Sequence, residues 1–187
     1  MVISRVPTRI FLLLCGLIGG WVSALYFIDD LGSAAASPNG HWRMWNLGAG
    51  TSSNPYAVAH FLLAGQVPPA QSLFRIYTSG RDDDGNRLRS ECVYMISANN
   101  LPARWWSLSV EPSDIPDKTS TPVITSDQIV RGLDGSMIIA VARHPIPGNW
   151  VRPSHDGNIE IQLLVSNDGS SQEVSSLILP SVKRVGC

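Results

Sequence analysis

Residues 91–110 have the sequence ECVYMISANNLPARWWSLSV, in which two apolar segments flank a polar turn. The segments at 92–97 and 105–110 are rich in aromatic and β-branched side chains, which favour the pleated, half-buried surface of a β-sheet. The Asn and Pro residues between them are typical of a turn. We therefore expect residues 91–110 to form the central hairpin of a β-rich domain.

Similar segments recur on both sides of this predicted hairpin. Strands are predicted at 73–78, 88–97, 105–110, 136–142 and 158–166, with a short edge strand at 41–45 and weaker candidates near Ile124 and Ile178. Asp-Gly pairs at 84–85, 134–135, 156–157 and 168–169 supply the positive φ angles that tight hairpins require. The pattern predicts an all-β fold, namely an antiparallel β-sandwich or a jelly-roll-like barrel.

One short helix is predicted before the strand at 73–78. Asn54 is a favourable N-cap, Pro55 suits the first helical position, and Gly65 supplies a stop. An apolar face is expected to lie against the sheet and consists of Tyr56, Ala59, Phe61, Leu62 and Leu63.

The N-terminal segment determines the predicted compartment. An uncharged run at 10–28 follows Arg5 and Arg9 and contains 19 residues, close to the roughly 20 that cross a bilayer. The positive flank is expected to remain in the cytoplasm. The sequence thus predicts a single-pass inner-membrane anchor at 1–30, a linker at 31–39 and a periplasmic domain at 40–187.

A cleaved signal peptide is the alternative, with Ala34-Ala35-Ala36 as its small-residue site. The apolar run exceeds the usual core of roughly 7–15 residues, so the uncleaved anchor is favoured. Both alternatives export the domain. Gly16 and Gly20 form a small-xxx-small pair that would let two anchors pack into a homo-oligomer, although glycines are common in membrane helices in any case.

The charge of the chain bears on its possible partners, and its cysteines bear on a possible disulfide. A net charge of −1 with 16% charged residues gives no basic surface, which argues against a nucleic-acid partner. If Cys15 lies in the membrane, Cys92 and Cys187 remain in an oxidising compartment, where an even number of cysteines favours a disulfide. Two separate thiols are the alternative.

The chain contains no convincing catalytic or metal-binding motif. His144, His155, Asp156 and Glu160 come nearest to a metal-ligand set, but their spacing matches no known motif. Three consecutive Asp residues at 82–84 lack the alternation and the distal Glu of a calcium loop, so a solvated hairpin tip is expected there. No metal, no cofactor and no catalytic residue is predicted, and the sequence disfavours an enzyme without settling the question.

Two aromatic segments are the candidate binding surface. The Gly148-Asn149-Trp150 sequence suggests a shaped loop, and Arg104, Trp105 and Trp106 would lie beside it in an aromatic pocket. The alternative is that these tryptophans fill the core. We take Arg104, Trp105, Trp106, Asn149 and Trp150 as the predicted functional surface.

The same segments resemble a bacterial family known as the domain of unknown function 1214. The motifs that carry the resemblance are the Asn54-Pro-Tyr helix start, Cys92-Val-Tyr-Met-Ile-Ser, Leu101-Pro-Ala-Arg-Trp-Trp-Ser-Leu, Leu133-Asp-Gly-Ser, Pro147-Gly-Asn-Trp and the Leu179-Pro-Ser…Cys187 end. The resemblance covers about residues 40–187. It implies an all-β sandwich module in a small envelope protein with an N-terminal hydrophobic segment, and it supplies no catalytic residues.

One segment departs from the family pattern. Residues 111–122 stand where relatives usually carry a Tyr-Asp…Asn-Pro…Arg-Tyr segment, so a pocket shaped by that segment is expected to be lost or remodelled. We therefore expect a membrane-anchored periplasmic binding or accessory module that acts through an envelope protein partner. The alternatives are a small-molecule-binding or hydrolytic envelope protein with a Trp-lined pocket and a scaffold held by paired anchors.

Overall fold

The computed structural model describes residues 6–34, 36–45, 54–63, 67, 70, 73–99, 101, 103–113, 121–166 and 177–187. The elements in chain order are α1 (Val6–Ala34), β1 (Ala36–Asn39), β2 (Trp42–Trp45), α2 (Pro55–Leu63), β3 (Phe74–Ser79), β4 (Val93–Ala98), β5 (Trp106–Pro112), β6 (Val123–Thr125), β7 (Met137–Val141), β8 (Asn149–Val151), β9 (Ile159–Ser166) and β10 (Ser181–Gly186). The chain is thus mostly β with few helices, as the sequence predicted.

The strands form two sheets. The larger has six strands in the order β1-β2-β3-β9-β5-β6, and the smaller has four in the order β10-β4-β7-β8. All described pairs are antiparallel except β7 and β8, which run parallel. The prediction of a purely antiparallel arrangement is therefore wrong at that one pair.

One hydrophobic core draws side chains from both sheets. Alternate residues of β5 and β9 enter this core from one sheet, and Tyr94, Ile96, Ile139 and Val141 enter it from the other. Since successive side chains of a strand point to opposite faces, each sheet turns one face to this core. Apolar burial on this scale is the main stabilising contribution to the domain.

The predicted central hairpin is not a hairpin. β4 belongs to the four-stranded sheet and pairs with β7 and β10, whereas β5 belongs to the six-stranded sheet and pairs with β6 and β9. Leu101 is buried between them, and the Ala103 N–H donates to its carbonyl in a tight turn. The two strands lie in different sheets and pack against the same core. Their apolar side chains are buried in this arrangement as they would be in a hairpin.

The helix α2 begins where the sequence predicted. The Asn54 side chain accepts a hydrogen bond from the Tyr56 N–H at 3.0 Å, which is the N-cap contact. Ala57 and Phe61 are buried against Trp45 and Ile76 of the six-stranded sheet. Three residues of the predicted buried face are instead exposed, namely Tyr56, Leu62 and Leu63. The predicted stop at Gly65 and the side chain of His60 lie outside what the structure describes.

The N-terminal region contains more regular structure than predicted. The stretch at 31–39, expected to be a linker, contains the end of α1 and all of β1. The β2 strand, expected at a sheet edge, pairs with β1 on one side and β3 on the other. Within α1, the 19 residues Thr8–Tyr26 have a mean hydropathy of 1.7 and none is buried. This helix is long and apolar enough to be a membrane anchor or a signal sequence.

The strand β10 lies later than the weak candidate near Ile178. It pairs with β4 and brings Cys187 to Cys92, with the two Cα atoms 4.0 Å apart and the sulfur atoms at disulfide distance. Of the predicted Asp-Gly turns, those ending at Gly85, Gly135 and Gly157 have positive φ angles. The fourth, at 168–169, lies outside the described residues.

Candidate functional site

The predicted aromatic surface contains residues in very different environments. On the six-stranded sheet, Trp106 is fully buried in the core, and Trp105 is half-buried with its ring edge-on to Phe74 at 6.2 Å between centroids. Arg104 is exposed. Trp106 is therefore a core side chain and not part of a surface, whereas Arg104 and Trp105 are accessible.

Asn149 holds the loops around β8 together. Its Nδ2 donates to the carbonyls of Val130 at 2.8 Å and Ile138 at 2.9 Å, and its Oδ1 accepts from the Val130 N–H at 2.7 Å. The preceding Gly148 has a φ of 97°, which L side chains rarely adopt. Trp150 is half-buried and donates its indole N–H to the Ala142 carbonyl at 2.9 Å.

The two halves of the predicted surface do not form one aromatic pocket. Trp105 and Trp106 belong to the six-stranded sheet, and Asn149 and Trp150 to the edge of the four-stranded sheet. All are within the described part of the chain, and no hydrogen bond or ring contact links the two groups there. The sequence predicted that these tryptophans lie on or beside strands, but it did not indicate which strands are neighbours.

An apolar cleft of about 410 Å³ lies beside Asn149 instead. We define the apolar cleft by Met95, Val130, Ile138, Ala140, Ile146 and Pro147, all of which line it. In strand alternation Met95, Ile138 and Ala140 fall on the face of the four-stranded sheet opposite the core. Val130 is 72% and Ile138 56% exposed.

A second cleft, of about 390 Å³, lies where β2, the end of β3 and the start of β9 meet the turn at 81–87. We define the arginine cleft by six of its lining residues, His41, Arg43, Trp45, Arg81, Arg87 and Glu160. Arg81 and Arg87 are bridge partners across the turn, and the Ile159 N–H donates to the Leu88 carbonyl at 3.1 Å. These backbone contacts set the turn against β9.

His41 forms one wall of the arginine cleft. Its Nδ1 lies 3.2 Å from Asp83 Oδ1, and its Nε2 is buried without a hydrogen-bond partner among the described residues. Burial lowers the pKa of His41 below its usual value of 6.5, and the opposing effects of Asp83 and Asp82 do not overcome this. His41 is therefore neutral at pH 7.

The acidic turn is less exposed than the sequence suggested. Asp82 is fully buried, and its Oδ2 accepts from Arg184 Nη2 at 2.8 Å. Asp83 accepts from the Val182 N–H at 2.9 Å. The prediction of a solvated tip is wrong for Asp82, because an arginine far along the chain compensates its buried charge.

The residues considered for metal binding are not assembled as ligands. Asp156 pairs with Arg143, the His155 ring bonds to Ser154 Oγ at 2.9 Å, and Glu160 lies in the arginine cleft. In the described ranges no three side chains of the His, Cys, Asp or Glu types come together.

The sequence from β3 through β9 identifies a family. Residues 74–166, from β3 through β9, match the model of a family described as protein of unknown function (DUF1214). The chain belongs to this family, although the match is narrower than residues 40–187. No curated protein matches the chain.

Two solved structures resemble the chain. The VPA0106 protein from Vibrio parahaemolyticus is 14% identical with a TM-score of 0.57, and the similarity covers 87% of this chain and 43% of that one. An uncharacterised protein from Burkholderia cenocepacia is 11% identical with a TM-score of 0.47, covering 88% of this chain and 42% of that one. The chain thus spans less than half of either protein. At this identity the Vibrio structure shows a shared fold and nothing about activity.

Proposed function

We propose that this protein is a membrane-anchored module of the bacterial cell envelope whose β-sandwich domain lies in the periplasm and binds a protein partner. The apolar segment Thr8–Tyr26 supports an anchor, and Arg5 and Arg9 before it support an inside N-terminus. The Cys92 and Cys187 pair at disulfide distance suits an oxidising compartment. A core shared by two sheets supports the sandwich architecture.

The observation that carries the binding role is the apolar cleft. Val130 and Ile138 line it and are both more than half exposed, and Leu133 is fully exposed next to the lining residue Gly132. Exposed apolar side chains that line one cleft are a feature of protein and ligand binding sites. An apolar side chain of a partner would bury this surface, while Asn149 holds its rim in place.

Affinity purification of the full chain from gently solubilised membranes tests this function. We expect a stoichiometric partner that is lost with Ile138→Asp and retained with Val123→Asp. Val123 is a matched control because it is 50% exposed on a strand of the other sheet. Recovery of no stable partner, or equal recovery with both variants, would contradict the proposal.

A small-molecule ligand is the second candidate, because a cleft of about 410 Å³ falls in the range of known ligand sites. Its lining differs from the predicted Trp-lined pocket, since Trp150 is not among the lining residues. A hydrophobic reporter dye that binds the wild-type protein and not Ile138→Asp, in a preparation without a partner, would favour this candidate.

A further inference from the structure

The arginine cleft contains an excess of positive charge. Three of its side chains are guanidinium groups, and the carboxylate of Glu160 opposes them. Three positive charges against one negative charge leave an excess of two, because His41 is neutral at pH 7. Overall the chain has a net charge of −1, so this concentration of positive charge is local.

Two of these arginines have no partner for their charge in the part of the chain that the structure describes. Within the described residues neither Arg43 nor Arg87 makes a side-chain hydrogen bond or ion pair, and both are exposed. Arg81 donates from Nη1 to the Gly85 carbonyl at 2.7 Å, and Glu160 has an interaction of its own. Like charges facing one cleft repel each other unless an anion lies between them.

The nearby aspartates offset only part of the positive charge in the cleft. Asp82 is paired with Arg184, whereas Asp83, which accepts from the Val182 N–H, keeps its negative charge beside His41 and reduces the excess from two to about one. These contacts fix the turn at 81–87 against β10. The backbone positions of Arg81 and Arg87 are therefore set before any ligand arrives, while Arg43 is carried by the paired strand β2.

We propose that the arginine cleft binds an oxyanion, that is, a phosphate or carboxylate group carried by a small molecule or by a lipid headgroup. Guanidinium groups donate paired N–H bonds to such groups with a matching planar geometry. The volume of about 390 Å³ accommodates a group larger than a single inorganic ion.

A lipid headgroup is one source because of what adjoins the cleft. Trp45 lines the cleft and packs edge-on against Phe61 of α2, with ring centroids 5.2 Å apart. The α2 helix in turn contacts α1, which carries the apolar segment. A soluble phosphate or carboxylate is the other source, and the two are separable by experiment.

The test measures the unfolding temperature of the full-length protein in a neutral maltoside detergent. Inorganic phosphate and citrate are compared with chloride at equal ionic strength. A second arm uses nanodiscs of phosphatidylcholine alone or with phosphatidylglycerol, in a buffer free of phosphate. Stabilisation follows the ratio of ligand concentration to Kd.

We expect at least one probe to raise the unfolding temperature, and Arg43→Gln or Arg87→Gln to weaken its binding about tenfold. Arg43→Lys, which keeps the charge but loses the paired donors, should weaken binding less. Arg152→Gln, an exposed arginine outside the cleft, is the control and should respond like wild type.

If soluble anions raise the unfolding temperature, the ligand is a soluble oxyanion; if only phosphatidylglycerol raises it, the ligand is a lipid headgroup. The proposal is overturned if no probe raises the unfolding temperature, or if the rise is the same in wild type and all four variants. Because Arg43 and Arg87 have no side-chain partner among the residues that the structure describes, their substitution should leave the unfolding temperature without probe unchanged. The apolar cleft is not involved, so the outcome is independent of partner recovery.

Discussion

Asp82 and Arg184 form an ion pair in which the aspartate side chain is completely buried and 30% of the arginine side chain is exposed. The pair joins the turn at 81–87 to β10, and the Arg184 guanidinium also lies 5.9 Å from the centre of the Tyr94 ring. A buried charge with one compensating partner makes this contact sensitive to substitution.

Removing Arg184 should destabilise the domain strongly. Arg184→Gln leaves the Asp82 carboxylate buried without its cation, and we expect a loss of about 3 kcal/mol in the free energy of unfolding. Arg89→Gln is the control, because Arg89 and Glu91 form an exposed pair with an expected contribution of about 0–1 kcal/mol. Denaturant titration of the full chain measures both, and equal losses would show that burial of Asp82 has no energetic effect.

The cysteine pair should form a disulfide that stabilises the domain. It closes a sequence separation of 95 residues, for which chain entropy gives about 4–5 kcal/mol as a model-dependent upper figure. Thiol counting on the denatured, oxidised protein should find Cys15 free, and reductant should reveal two more thiols. Cys187→Ser should lower stability and Cys15→Ser should not. Three free thiols before reduction would contradict the pairing.

The adjacent tryptophans of the predicted surface should differ in their contribution to stability. Trp106→Ala empties a fully buried site and should cost about 3–5 kcal/mol. Trp105→Ala removes a half-buried ring and its contact with Phe74, and should cost about 1 kcal/mol. Denaturant titration gives the free energy of unfolding of each variant. Similar losses would show that the two rings are buried to a similar extent and would contradict the prediction.

Stability should fall on acidification because of His41. Burial lowers the pKa of His41 in the folded protein, so the unfolded chain binds more protons once the pH falls below about 6.5. The loss begins there and is complete below the lowered pKa. Asp83 and Asp82 face this ring and limit the effect.

Unfolding temperatures measured from about pH 5 to about pH 8, the range in which histidine ordinarily changes charge, test this dependence. His41→Gln should flatten the profile, and His144→Gln, at an exposed position, should not. An unchanged slope in His41→Gln would assign the pH dependence to other groups.

Self-association through α1 is a separate prediction. A Cβ atom added at Gly16, Gly19 or Gly20 meets no other atom within 4 Å, so isoleucine at these positions would not disturb the isolated chain. If Gly16 and Gly20 form a contact between anchors, Gly16→Ile and Gly20→Ile should abolish the dimer in detergent. Gly19→Ile is the control. Sedimentation analysis that finds a monomer throughout would reject the scaffold role.

Strand positions were predictable from the sequence, whereas strand partners were not. Apolar segments rich in aromatic and β-branched side chains located β3, β5, β7 and β9 to within a few residues. The same composition is compatible with pairing in a sheet and with facing across a core. That ambiguity explains why residues 91–110 look like a hairpin and are not one.

The arginine cleft had no signal in the sequence. Its residues come from three distant segments, and each arginine alone resembles an ordinary exposed side chain. Asp82 was misjudged for a related reason, since the residue that compensates its burial lies 102 positions further along the chain. Local composition does not reveal ion pairs between residues that are distant in the sequence. The helix N-cap at Asn54 involves only neighbouring residues and was therefore predictable.

The position of β9 has a consequence for how the domain is made. β9 lies between β3 and β5, so the six-stranded sheet consists of two separate halves until residues 159–166 have been synthesised. Before then β3 and β5 each present an unpaired edge, the kind of surface that templates aggregation. Contacts between residues this far apart also slow folding. A nascent chain would therefore expose both edges until this middle strand inserts and closes the sheet.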